Sequence, residues 1–169
     1  SHHRQQHTYE IVSEVFKKNK LEIPNPIILK ELNEHQATEA MKIEMPKMII
    51  SDPLIKKLWK EIELNPEKKK VNLMLGFKYF LNLWVKDIIF VNGVISWKDF
   101  RNNVKKGLTI ILKNTKSNQN IGVFSSGGTI SSITAESLNI NDELKITDLN
   151  FSIRNTSFTT FYIQKKHSI

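Results

Sequence analysis

Cysteine is absent from the 169 residues, which excludes disulfides and thiolate metal sites and fits a reducing compartment. The expected location is cytoplasmic. No uninterrupted apolar run approaches the length of a membrane span, and the opening residues lack the basic, apolar and small-residue regions of a secretory leader. No membrane partner is expected. Internal repeats and low-complexity tracts are missing. No His-Glu-x-x-His pair or carboxylate cluster suggests a metal, and no Gly-Lys-Ser/Thr follows a glycine turn as a P-loop requires. Neither a metal nor a cofactor is expected.

Positive charge is present in excess, with a net +8 and a sequence pI near 9.6. Such a balance favours an anionic partner: a phosphorylated metabolite, nucleic acid or an acidic protein surface. A lysine-, asparagine- and isoleucine-rich composition also follows from AT-rich coding without any binding role. The run Lys68-Lys69-Lys70 lacks the interleaved aromatics of a single-strand groove and reads as a solvated helix face. No nucleic-acid partner is expected. The length suffices for one domain with its own core, and no composition break argues for two.

Residues from His3 to Asn19 carry Ile11, Val12, Val15 and Phe16 at helical spacing. Ile27-Ile28-Leu29, bounded by prolines upstream, reads as a short buried strand, followed by a polar loop from Glu31 to Gln36. Ser51-Asp52-Pro53 supplies capping oxygens ahead of a first-turn proline and predicts a helix with Leu54, Ile55, Leu58, Trp59 and Ile62 inward. A longer helix is expected from about Pro66 to Ile89, burying Val71, Met74, Leu75, Leu81, Trp84 and Ile88, with Gly76 a local weak point. Ser96-Trp97-Lys98-Asp99 resembles a capping box opening a helix that runs to Lys113, with Phe100, Val104, Leu108 and Ile111 on one face.

The most informative stretch is Val123-Phe124-Ser125-Ser126-Gly127-Gly128-Thr129-Ile130. It reads as a strand from Asn120 to Ser125, a glycine turn, and a helix marked by Thr129, Ile130, Ile133, Thr134 and Leu138. Free amides at such a helix start favour phosphate or carboxylate. A polar loop around Asn141-Asp142-Glu143 follows, and Phe151 to Ile163 suits a final strand or hairpin. Helices alternating with short strands predict a three-layer α/β/α fold around a mostly parallel sheet, with ligands at the carboxyl ends of strands.

Separated segments together resemble the histidine phosphatase superfamily, the phosphoglycerate mutase-like group. Arg4-Gln5-Gln6-His7-Thr8 matches its arginine four positions before a threonine at a helix start. Leu32-Asn33-Glu34-His35 resembles the segment carrying its acidic residue, and Val123 to Ile130 the strand and turn that usually read Ser-His-Gly-Gly. Trp97-Lys98-Asp99-Phe100 resembles its Trp-x-x-Phe helix start, and Arg154-Asn155-Thr156-Ser157 the polar segment opening its last strand. The resemblance implies a single domain over residues 1–169 with a helical insertion at about 39–95, and a phosphorylated small molecule as substrate. Arg4, Ser126, Gly127 and Gly128 would bind the phosphoryl group. Glu34 would be the general acid or base, with Ser126 beside it in the catalytic site.

Two departures bear on activity. The family's nucleophile lies in an Arg-His-Gly segment ending an N-terminal strand, and nothing in this chain matches it, His2 and His3 included. The chain is therefore expected to be a piece of a longer protein that supplies the central strand. Ser126 stands where a second histidine is usual, although some members carry Ser-Gly-Gly or Thr-Ser-Gly-Gly there. A hydroxyl donates one hydrogen bond but brings no imidazolium charge. His35, a lone loop histidine and ordinarily solvated, could supply that charge. Two function classes follow: a phosphatase or mutase working through a phosphohistidine, and a catalytically impaired relative that binds a phosphate-bearing ligand or a protein.

Overall fold

Asp52, Ser96 and Asp142 each place a side-chain oxygen on the free amides that follow, and a helix begins after each. Asp52 accepts from the backbone of Leu54 and Ile55, Ser96 from Asp99, and Asp142 from Leu144 and Lys145. The computed structural model describes residues 2–163, and among these every regular element is helical. In chain order they are α1 (His2–Lys18), a 3-10 turn (Lys30–Leu32), α2 (Ala37–Ser51), α3 (Pro53–Leu64), a second 3-10 turn (Pro66–Lys68), α4 (Lys69–Val85), α5 (Trp97–Asn114), α6 (Gly127–Ser137) and α7 (Glu143–Ser152).

The expected α/β/α architecture is thereby corrected: among the described residues there is no strand and no sheet. The segments read as strands, Ile27 to Leu29, Asn120 to Ser125 and Phe151 to Ile163, give two irregular stretches and a third whose start is the end of α7. A strand satisfies its backbone groups only through a neighbouring strand, whereas a helix does so internally. Among the described residues, 22–28, 120–125 and 158–163 join no backbone ladder. Period-two and short apolar patterns therefore found no ladder to join.

Helices α2, α3 and α4 pack on one another across the stretch read as a helical insertion. Asp52 links two of them, because its second oxygen accepts from the Tyr79 hydroxyl at 3.0 Å while the first caps α3. That bond holds the Tyr79 proton more tightly than usual and raises its pKa. Helix α4 also meets α5 and α7, and α6 packs between α5 and α7. The core joins Ala37, Ala40, Met45 and Met48 of α2, Ile55 of α3, Phe80, Leu81 and Trp84 of α4, Trp97, Phe100 and Val104 of α5, and Ile133 and Ile146 of α6 and α7.

The inward face of α4 differs from the expected one. Leu81 and Trp84 are buried as read, but Val71, Met74, Leu75 and Ile88 are exposed, and Asn72, Gly76 and Phe80 take the inner positions. A helix that is apolar on most of its circumference does not reveal which stripe faces its neighbours. The helix also ends at Val85, short of Ile89. The stretch Glu143 to Ser152, expected to open as polar loop and to end as strand, forms α7 behind its Asp142 cap.

A buried cation ties α5, α6 and α7 together. Arg101 donates to the Ser132 carbonyl at 3.0 Å and to Glu136 Oε1 at 2.8 Å, and its Nε lies 3.5 Å from Glu143 Oε2. Glu143 in turn accepts from the Trp97 indole at 2.6 Å. Two guanidinium nitrogens donate hydrogen bonds in a fixed plane, while among the described residues Nε makes none and faces Glu143 as an ion pair alone.

Candidate functional site

Gly107 on α5 opens the way for the 3-10 turn that precedes Glu34. A Cβ there would stand 2.6 Å from Leu32 Cδ2 and 2.9 Å from its Cγ, so only glycine admits the turn at this distance. The Leu32 carbonyl then receives the hydroxyls of Ser125 at 3.4 Å and Thr129 at 3.1 Å. Residues 31–35 are in this way clamped against the start of α6.

The N-terminus of α6 is capped from far away in sequence. Its N-cap residue, Ser126, makes no side-chain capping bond, and its buried hydroxyl finds no hydrogen-bond partner among the described residues. Instead the Gly128 backbone N–H donates to Glu34 Oε2 at 3.3 Å across 94 positions. The other oxygen, Oε1, accepts from the His35 backbone N–H at 2.9 Å and lies 3.4 Å from His35 Nε2. A carboxylate thus occupies the positive end of the helix dipole, where anions are favoured.

Both glycines of the turn are demanded by close approach. A Cβ on Gly128 would collide with Glu34 Oε1 and come within 2.5 Å of His35 Cδ2, and one on Gly127 would meet Asn150 Oδ1 at 2.5 Å.

His35 is not the solvated loop residue that its isolation in the sequence suggested. Its side chain is 9% exposed. Rings of Trp84, Trp97 and Phe100 surround it with centroids 6.0, 5.7 and 5.5 Å away, and Asn150 of α7 approaches Nε2 at 3.3 Å. Burial among these rings lowers its pKa below the usual histidine value, against the pull of Glu34 and then Glu39, which act to raise it.

No family model, curated protein or solved structure matches this chain. Its functional reading rests on residues and geometry.

Of the residues singled out in the sequence, Glu34, Ser126, Gly127 and Gly128 are brought to one place although more than ninety positions separate the first from the others. Arg4 stands exposed in the first turns of α1, its carbonyl accepting the Thr8 hydroxyl at 2.8 Å. Helix α1 leans on the segment before the glycine turn through the edge of Tyr9 against Phe124, and the Tyr9 hydroxyl donates to the Pro24 carbonyl. Arg154 is exposed, at a turn closed by the Ser157 amide on its carbonyl.

Sequence reasoning passed over Asn150 and the aromatic box around His35. The cap-like Asp142, followed by Leu144, Ile146 and Thr147, was the signal for a helix that would carry Asn150 inward. Among the described residues no group of three or more His, Asp or Glu side chains could hold a metal, and no helix is long and apolar enough to cross a membrane.

Proposed function

We propose that this chain carries the phosphate-recognition and acid–base part of a histidine phosphatase-like protein acting on a phosphorylated small molecule. The observation that carries the reading is the meeting of Glu34 with the Gly127-Gly128 turn, since the resemblance assigns the acidic residue and the anion-binding turn to one pocket. In this reading a phosphoryl oxygen displaces Glu34 Oε2 from the Gly128 N–H and is received at the start of α6. Glu34 is the acid–base group facing the leaving oxygen. Arg4 acts as a forked clamp from α1.

The nucleophilic histidine implied by the resemblance has no counterpart in these residues. For that reason a second reading stands beside the first: a relative that binds phosphate-bearing ligands without transferring them. Ser126, which brings no imidazole to the turn, favours it.

Titration of the isotopically labelled protein with inorganic phosphate tests the shared part of both readings. The backbone amides of Gly127, Gly128 and Thr129 should shift saturably, and Glu34→Gln should alter the binding curve. Shifts spread over the lysine-bearing surface alone would overturn the site. Hydrolysis of p-nitrophenyl phosphate separates the two readings: the first expects metal-independent turnover by the intact protein that is lost in Arg4→Ala, the second none.

A further inference from the structure

Ser126 leaves the anion-binding turn without the imidazole expected there, yet an imidazole does lie against the turn, brought from the other side by the Glu34 loop. We propose that His35 is the positioning residue for Glu34, a neutral imidazole held with its proton on Nε2 and directed at the acid–base carboxylate; the inference rests on the reading of Glu34 given above.

The tautomer follows from hydrogen-bond direction. The Ala37 backbone N–H donates to His35 Nδ1 at 3.3 Å, so Nδ1 must present a lone pair. In a neutral ring the proton is then on Nε2. That nitrogen lies 3.4 Å from Glu34 Oε1, an ion-pair distance, and 3.3 Å from Asn150 Nδ2. With Nε2–H a donor, the Asn150 side-chain amide is turned over from that arrangement, which brings its oxygen to Nε2 and takes it away from Gly127.

The contact with Ala37 does a second service. Ala37 opens α2, whose N-cap residue Gln36 makes no side-chain capping bond, so His35 Nδ1 satisfies an amide otherwise left at the helix start. A second proton on the ring would set Nδ1–H against the Ala37 N–H, donor facing donor. Protonation and the clamp therefore oppose each other.

The surroundings fit the neutral form. Trp84 of α4, and Trp97 and Phe100 of α5, offer rings, α6 offers Gly128, and α7 offers the neutral Asn150. Among the described residues the charged groups acting on the ring are Glu34 on its own loop and Glu39 on α2. Held from Nε2 and from the His35 amide on Oε1, the carboxylate is left with Oε2 turned to Gly128, where the phosphoryl oxygen is placed. His35 thus acts through Glu34 rather than on the ligand.

Long-range proton–nitrogen NMR of the His35 ring, together with phosphate titrations of variants, tests this. The Nε2-protonated tautomer is expected at pH 7, and a ring protonated on Nδ1 would overturn the proposal. His35→Gln offers an amide N–H in place of Nε2–H and should keep phosphate affinity close to the wild type while flattening its pH profile below about pH 6.5. His35→Leu should weaken phosphate binding by about tenfold or more, the scale of a hydrogen bond to a charged group. Wild-type affinity and pH profile in His35→Leu would also overturn it. Should that variant fail to fold, the wild-type tautomer and His35→Gln still decide. If phosphate does not bind at all, the functional reading falls, while the Glu34 carboxyl carbon shift in His35→Gln against wild type still reports whether the pair exists.

Discussion

Two parts of the molecule treat their polar groups in opposite ways. Around the start of α6, a loop, four helices and three aromatic rings converge so tightly that two glycines are obligatory, and both oxygens of Glu34 have donors. Along residues 22–28, 116–125 and 158–163, most apolar side chains stand open, with Ile27 84% and Phe158 97% exposed, and the backbone joins no helix or ladder among the described residues. The first region is over-determined by packing, so small changes should be costly there. The second is held at a few points, through Ser125, Phe124 and Phe161, and away from them changes should cost almost nothing.

The sharpest break is Gly128→Ala. The new methyl has to displace the Glu34 carboxylate and the His35 ring, which removes the remote cap of α6 as well as crowding the core. Overpacking and the lost cap together should lower stability by about 2–4 kcal/mol. Chemical denaturation measures it, and a loss below about 0.5 kcal/mol, typical of open surface, would remove the claim of close approach. Gly107→Ala should follow. Its methyl meets the branched end of Leu32, which can yield, and alanine recovers helix propensity in α5. The net loss should be about 1–2 kcal/mol.

What the sequence disclosed follows the same division. Caps are local, and Asp52 and Ser96 predicted the starts of α3 and α5 because a side-chain oxygen and the amides it satisfies lie within three residues. The Gly127-Gly128 turn was legible locally as a helix start and Glu34 only through a resemblance, and their meeting depends on Gly107 and Thr129, whose roles no local rule exposes. Residues 120–125 show the converse. An apolar centre flanked by polar residues predicts a strand, but strand formation depends on a partner that this pattern does not contain. The inner stripe of α4 escapes the pattern because Val71, Met74 and Leu75 are more apolar than Asn72 and Gly76, which do face inward.

Acid provides a gentler break, confined to the packed region. His35 has a lower pKa folded than unfolded, because burial among Trp84, Trp97 and Phe100 disfavours its cation. The unfolded chain therefore takes up the proton first as pH falls below about 6.5. Stability contributed by the neutral ring is full above that point and is lost as pH descends through the folded-state value. Since carboxylates elsewhere also respond to acid, the expected signature is a difference: wild type should lose more melting temperature than His35→Gln between about pH 7 and pH 5. Parallel curves would show that the ring is not held neutral by its box.

The smallest effect should come from the open segments. Phe158→Ser and Ile27→Asn replace side chains that are almost wholly in solvent, on backbone that forms no ladder among the described residues. Neither substitution removes buried area or leaves a polar group unsatisfied, the two routes by which a point change becomes expensive. Each should shift stability by no more than about 0.5 kcal/mol, and solubility should rise as exposed apolar surface is removed. Parallel denaturation of both variants and Gly107→Ala provides the control. A loss in Phe158→Ser as large as that in Gly107→Ala would mean that the aromatic is covered in solution, and the contrast between the two regions would dissolve.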